Sequence, residues 1–191
     1  HRVDRRQRQM CIRDSSIRTG NIKEFNTTNS NISHDVIRAL YKGNDGTLWI
    51  GSYNRLNKLA PNSSIFQVIE VYPSTSSSLD NQLILSIKPQ NNEQDSILLI
   101  GTQKYGLLML NQRTNQKVFF NQTNTQLANN VIKAIEVSSS GKIWLGTDFG
   151  LAEIDERLNS KIYLHNPFIK SSLVNNVIWD IFEDHSGALW L

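Results

Sequence analysis

From residue 15 onward the chain alternates between short apolar runs and polar segments. A representative run is Ile97-Leu98-Leu99-Ile100, and the other runs are rich in β-branched and aromatic residues. The segments between them are rich in Asn, Ser, Thr and Gly, which are residues typical of turns. Apolar runs of this composition, bounded by turn residues, predict short β-strands. We therefore predict an all-β chain.

The pattern of polar and apolar residues is also repeated along the chain. Residues 129–132, Asn-Asn-Val-Ile, are repeated as Asn-Asn-Val-Ile at residues 175–178. Residues 34–37, His-Asp-Val-Ile, lie 95 positions before residues 129–132, and a weaker copy, Asn-Gln-Leu-Ile, occupies residues 81–84. Repetition at a fixed period predicts an architecture built from stacked units.

The period indicates which architecture this is. A Gly follows the second apolar run of each repeat, at Gly51, Gly101 and Gly146, which gives spacings of 50 and 45 residues. Spacings of this size are typical of β-propeller blades. Helical repeats do not fit, because Gly, Pro or Asn interrupts each unit about every ten residues. We therefore predict four-stranded propeller blades.

We label the four predicted strands of a blade A to D. In the third repeat they are residues 131–137, 142–146, 150–155 and 160–165. One position of strand B is shared by Trp49, Trp144 and Trp190, for which we predict packing between blades. Gly106 and Gly150 open strand C, whereas the first repeat has Arg55 at this place and departs from the pattern.

These motifs resemble the propeller repeat of two-component regulators. The resemblance rests on the Asn-Val start, the Asp-x-x-Gly turn, and Ile-Trp-Leu-Gly-Thr followed by Phe-Gly-Leu within residues 143–151. It covers residues 18–191. Proteins of this family carry many such blades in the periplasmic sensor regions of hybrid two-component histidine kinases. The resemblance implies a periplasmic location, a homodimer, and contact with the membrane only through segments outside this chain.

The repeat frame predicts how the chain is organised. Residues 15–30 end one blade, residues 31–80, 81–128 and 129–174 form three blades, and residues 175–191 begin another. Closed propellers use roughly four to eight blades, so we expect a β-propeller fragment that starts within one blade and stops inside strand B of another.

The first segment, residues 1–14, follows no apolar period. It resembles translated sequencing-adapter strings, and we interpret it as an adapter-derived artefact, with a genuine unstructured basic segment as the alternative.

Charge and cysteine content narrow the function. The formal charge of +3 comes from residues 1–14, which hold five Arg and two Asp, so residues 15–191 carry equal numbers of basic and acidic residues. This balance excludes a basic nucleic-acid surface. The single cysteine, Cys11, lies in the same segment, and no pair of His residues has metal-ligand spacing. We expect no cofactor, no metal site and no catalytic motif, and no apolar run is long enough for a membrane span.

Topology suggests where a ligand would bind. In an antiparallel A-B-C-D blade, the B–C turns and the D–A segments lie at the same end. This end combines aromatic rings, amides and charges, which are the groups that stack on sugar faces and pair with hydroxyls. The candidate ligand-binding residues are Asp35, Tyr53, Asn54, Lys104, Tyr105, Asn130, Asp148, Phe149 and Asn176.

Each candidate also has a structural interpretation. The paired Asn residues recur in register, and Asn in turns commonly satisfies backbone groups. The rings of Tyr53, Tyr105 and Phe149 would then pack over the blade ends. Trp179 breaks the pattern that Arg38, the region of Ile84 and Lys133 set in strand A, and its role is left open.

The sequence thus predicts a ligand-sensing propeller fragment of a hybrid two-component sensor histidine kinase. The predicted partner is a small extracytoplasmic carbohydrate, bound by a region that does no chemistry itself. Two alternatives stay open: a secreted propeller glycoside hydrolase or lyase, and a propeller that binds another protein.

Overall fold

The protein, described here by a computed structural model, is built from antiparallel β-strands. The structure describes residues 12–15, 22–53, 55–71, 83–91, 96–155 and 157–191. Within these ranges no helix is long and apolar enough to cross a membrane.

Three sheets have four strands each, and in each one neighbouring strands follow one another in the chain. The first sheet consists of β3 (Ile37–Lys42), β4 (Leu48–Ser52), β5 (Leu56–Leu59) and β6 (Phe66–Ile69). The second consists of β7 (Ile84–Asn91), β8 (Ser96–Thr102), β9 (Leu107–Asn111) and β10 (Lys117–Phe120). The third consists of β11 (Ile132–Val137), β12 (Ile143–Thr147), β13 (Gly150–Ile154) and β14 (Ser160–Tyr163). The predicted A-to-D order is confirmed, and the ends of the third-repeat strands differ from those predicted by at most two residues.

Two further sheets have two strands. β1 (Ile12–Ser15) pairs with β2 (Ile22–Phe25), and β15 (Phe182–Glu183) pairs with β16 (Leu189–Trp190). Residues 12–14 belong to the segment 1–14, which we expected to lie outside the fold. In the structure these three residues are part of β1 and pair with β2. Residues 1–11 lie outside the described residues.

The chain divides into two compact units, residues 1–84 and residues 85–191. In the first unit, Phe25, Ile50 and Phe66 are buried in one apolar cluster, with the rings of Phe25 and Phe66 edge to face at 5.2 Å. The same unit buries a polar side chain, Asn57, whose amide oxygen accepts a hydrogen bond from the backbone N–H of Ser33 at 2.9 Å. A buried amide is tolerated because its polar atoms are paired.

The core of the second unit lies between the faces of successive sheets. Leu99 and Leu107 of the second sheet are buried in one cluster with Ile132, Ile135 and Leu145 of the third. Side chains from two sheets thus share a single core, as expected for blades that face one another.

Gly146 in the second unit shows why strand B carries glycine. A Cβ atom at Gly146 would lie 2.8 Å from Cγ2 of Ile178, closer than real Cβ atoms come to a neighbour. At Gly101 a Cβ atom would lie 2.5 Å from the backbone oxygen of Ile132. Glycine recurs at this position because the first strand of the next repeat approaches the backbone closely.

The three matched Trp residues differ in burial. Trp49 is buried, and Trp144 is half-buried with its ring 5.8 Å from the ring of Tyr163. Trp190 is 64% exposed, so its predicted burial is not met. The reason is that its sheet, as far as the structure describes it, has only two strands.

Candidate functional site

The B–C turns of the second unit are held by one hydroxyl group each. In the third sheet, Thr147 Oγ1 donates to the backbone oxygen of Gly150 at 2.8 Å and accepts from the backbone N–H of Phe149 at 2.9 Å. The turn at residues 102–106 repeats both bonds at 2.8 and 2.9 Å, which puts Tyr105 in the position of Phe149. These local side-chain bonds fix the turns without help from a ligand.

The turn of the first unit is built differently at one point. Gly106 and Gly150 have positive φ angles of 79° and 101°, whereas the first repeat carries Arg55 at this place. The carbonyl of Arg55 accepts a hydrogen bond from Ser52 Oγ at 3.0 Å. The candidate Asn54 lies outside the described residues.

The polar residues that precede each first strand hold the D–A segment. The side-chain oxygen of Asp35 accepts a hydrogen bond from the backbone N–H of Thr27 at 2.7 Å. In the same way, Asn130 accepts from Gln122 at 2.9 Å, and Asn176 accepts from His165 at 2.7 Å. The residue before each of them, His34, Asn129 or Asn175, accepts from the N–H two positions further on, at 2.7 to 2.9 Å. Both members of every described pair therefore have a partner within the chain, as the structural interpretation expects.

The same segments tie the B–C turns to the next repeat. The backbone N–H of Gly106 donates to the backbone oxygen of Asn130 at 3.0 Å, and that of Gly150 donates to the backbone oxygen of Asn176 at 2.6 Å. In the second unit these bonds bring the turns at residues 102–106 and 147–150 beside the D–A segments. We call this assembly of the second unit the B–C end.

The candidate aromatic residues differ in how they pack. Tyr53 is half-buried with its ring 5.1 Å from that of His34, and Tyr105 is half-buried with its ring 6.4 Å from that of Phe119. Phe149 is 50% exposed. Lys104 is exposed, and its Nζ lies 5.9 Å from the centroid of the Tyr105 ring. Packing thus occupies much of the surface of the two tyrosines and leaves Phe149 open to solvent.

Asp148 belongs to a cluster that the sequence did not predict. Its Oδ1 forms an ion pair with Lys133 Nζ, and the same Nζ lies 3.5 Å from the ring centroid of Trp179. Trp179 is 74% exposed. A cation at this distance over an indole ring is attracted by the ring electrons. The cluster therefore joins an ion pair to an exposed aromatic surface at the B–C end.

One acceptor at the B–C end has no partner. The side-chain oxygen of Gln103 is buried and accepts no hydrogen bond within the part of the chain that the structure describes. Gln103 directly follows Thr102, as Asp148 directly follows Thr147, although the turn at residues 102–106 is one residue longer than the turn at residues 147–150. Buried polar atoms are usually paired with protein or water.

A cavity of about 550 Å³ adjoins Trp179, Val174 and Leu191, beside the two-stranded sheet. We assign no ligand to this cavity. No group of His, Cys, Asp and Glu residues able to hold a metal occurs in the described ranges.

Comparison with known proteins places these features in a family. The model of the family described as Two component regulator propeller matches residues 31–54. Histidine kinase P4 of Formosa agariphila is 31% identical over 152 residues, which cover 73% of this chain and 10% of that protein. The chain thus spans about a tenth of the length of this curated relative.

Solved structures share the fold. The extracellular domain of a hybrid two component system from B. thetaiotaomicron superposes with a TM-score of 0.81 at 24% identity, over 94% of this chain and 23% of that chain. Virginiamycin B lyase from Staphylococcus aureus superposes with a TM-score of 0.67 at 13% identity, over 95% of this chain and 56% of the enzyme. The shared fold is that of a β-propeller segment, and residues 31–54 match the two component regulator propeller repeat.

Proposed function

We propose that the chain is part of the extracytoplasmic sensor propeller of a hybrid two-component histidine kinase and binds an oligosaccharide at the B–C end. The observation that carries the proposal is the composition of this end. The Asp148 carboxylate and the exposed ring of Phe149 stand on a turn that internal hydrogen bonds already fix. The exposed ring of Trp179 contacts the same Lys133 that pairs with Asp148. A rigid scaffold of this kind lowers the entropic cost of ordering a binding site.

Oligosaccharide recognition fits the exposed chemistry. Aromatic rings pack against the apolar C–H faces of sugars, and carboxylate and amide groups pair with hydroxyls. The relatives named above support the sensor role, since one is a histidine kinase and another is the extracellular part of a hybrid two component system. The likeness to a lyase concerns the fold alone, and a shared fold does not carry over an activity.

In this proposal, signalling follows from the linkage between sugar binding and a conformational equilibrium of the receptor. A bound sugar shifts the equilibrium between two arrangements of a receptor dimer only to the extent that it binds one of them more tightly. The propeller would supply that difference in affinity, and the kinase would report it across the membrane.

The proposal is tested by binding measurements on the 191-residue chain. We expect isothermal titration calorimetry to detect one oligosaccharide from a panel of plant, algal and host glycans. Tyr105→Ala and Asp148→Ala should weaken that affinity, with the far-ultraviolet circular dichroism spectrum unchanged. His185→Ala is the matched control, because His185 is an exposed residue of an A–B turn at the opposite end of the sheets.

The gene supplies the second test. Sequencing of the genomic DNA on both sides should reveal further propeller repeats, a membrane span and a histidine kinase. A secreted propeller without a span, or turnover of a glycan by the purified protein, would replace the sensor proposal with an enzyme. Capture of a protein partner without any glycan binding would replace it with a scaffold.

A further inference from the structure

We infer that Trp179 and Asp148 form a subsite for an uncharged sugar ring, with Lys133 as the residue that positions both. The inference rests on the proposed function, because it names the ligand chemistry of the same B–C end. Its central observation is that one lysine contacts the two exposed groups at once.

Lys133 is withdrawn from solvent. Its side chain is 15% exposed, its Nζ is paired with Asp148 Oδ1, and the same Nζ lies over the indole ring of Trp179. The ammonium group therefore covers one face of the ring and neutralises one carboxylate oxygen. A partly buried cation with two such partners orients them rather than offering its charge to a ligand.

The groups left open are complementary to a sugar. Trp179 is 74% exposed, so the indole face opposite Lys133 is accessible for stacking. The side chain of Asp148 is 40% exposed, and its Oδ2 accepts no hydrogen bond from any residue that the structure describes. The free oxygen is an acceptor for a sugar hydroxyl, while the indole face packs against ring C–H groups.

The local charge favours an uncharged ring. The carboxylate of Asp148 is the more exposed member of its ion pair, and Asp180, next to Trp179 in the chain, is exposed as well. An acidic sugar would bring a further negative charge beside the Asp148 carboxylate, and like charges at close range disfavour binding. Lys104, the exposed cation of the preceding turn, lies near Tyr105.

The test compares two panels of probes on the 191-residue chain. The neutral panel holds short cello-, malto-, xylo-, manno- and galacto-oligosaccharides, and the acidic panel holds oligogalacturonates, oligoalginates and chondroitin sulfate disaccharides. We expect a neutral probe to bind, and the acidic probes to bind at least about tenfold more weakly. Trp179→Ala should weaken binding of the neutral probe about tenfold, because one stacking contact is lost, while Trp179→Phe keeps much of the affinity.

The positioning role of Lys133 needs its own comparison. Lys133→Met removes the charge and keeps the length of the side chain, so binding should weaken although Lys133 does not touch the ligand. Lys133→Arg should restore most of the affinity, because guanidinium both pairs with carboxylates and stacks on rings. Equal loss in the Met and Arg variants would overturn the positioning role. The thermal unfolding midpoint of each variant checks that the fold is intact.

The outcomes separate the inference from the proposed function. Binding of acidic probes in preference to neutral ones, or neutral binding that Trp179→Ala leaves unchanged, would overturn the subsite and leave an oligosaccharide sensor standing. Absence of binding by both panels would overturn the oligosaccharide proposal and the subsite with it.

Discussion

The polar residues that precede the first strand of a repeat serve the chain itself. Asn130 and Asn176 at the B–C end, and Asp35 at the matching position of the first unit, accept backbone hydrogen bonds. Asp occupies this position in one repeat and Asn in two others, which indicates that the position requires a side-chain oxygen as hydrogen-bond acceptor. Recurrence in register thus indicates a structural role. Trp179 differs, because it stands where two of the other repeats carry the basic residues Arg38 and Lys133.

Substitution of Asn130 tests this structural role. Asn130→Ala removes the acceptor for the Gln122 N–H, and we expect a loss of about 1 kcal/mol in the free energy of unfolding. Asn130→Asp, the matched control, keeps the acceptor and should change that free energy by less than about half as much. Urea denaturation followed by fluorescence measures both. Equal destabilisation by the two variants would contradict the assignment.

A second prediction at the residue scale concerns pH. Asp184 accepts hydrogen bonds from the Ser186 hydroxyl and from the Trp190 indole N–H, which lower its pKa from 3.8 to about 2. Since the pKa is lowered in the folded chain, the stability gained from these bonds is present above about pH 4 and is lost as the pH falls through about 2.

The Trp190 indole N–H resonance reports this titration in NMR spectra recorded from pH 5 to pH 1.5. We expect a midpoint at about 2, and no such transition in Asp184→Asn. A midpoint at the ordinary Asp pKa would show that the hydrogen bonds do not form.

Not all of the site is predictable from sequence, for a physical reason. The turn residues and the paired Asn residues act through backbone groups a few positions away, so a repeated motif reveals them. Lys133 and Trp179 meet across two repeats, and their contact depends on how the first strands of neighbouring sheets are placed. A change from Arg38 and Lys133 to Trp179 at one register position is the signal that marks the site in sequence, but the pairing itself is visible only in the structure.

At the scale of the strands, the repeat is maintained by close packing. The glycine of the second strand lets the first strand of the next repeat approach, as seen at Gly101 and Gly146 in the second unit. The hydroxyl residue that follows this glycine then closes the B–C turn. The motif Gly-Thr therefore couples sheet packing to turn geometry, which is why the four-strand pattern could be predicted from the spacing of a few residues.

Gly146→Ala tests the close approach. The added methyl would lie 2.8 Å from Cγ2 of Ile178, and overpacking of this kind costs about 1–3 kcal/mol in the free energy of unfolding. Ile178→Ala removes that Cγ2 atom, so the double variant should be more stable than the sum of the two single effects implies. Chemical denaturation of the four proteins gives the interaction energy. Strict additivity would mean that the two residues are not in contact.

At the scale of the whole molecule, the fold follows from repetition, while the ligand chemistry depends on where the repeats differ. The four-stranded sheets share turn bonds and strand order, and this regularity made the propeller fold predictable without a structure. The side chains at the B–C end vary from Tyr105 to Phe149, and those directly after the turn threonine vary from Gln103 to Asp148. Variable side chains on a constant scaffold are the usual arrangement of a binding surface.

Hydrogen–deuterium exchange with and without the tightest-binding oligosaccharide tests the central claim most directly. The account predicts that amide protection on binding is concentrated in residues 102–106, 147–150 and 176–179, with exchange unchanged in the A–B turns at residues 138–141 and 184–187. Protection in those A–B turns, or no protection anywhere when the sugar is present at saturating concentration, would contradict it.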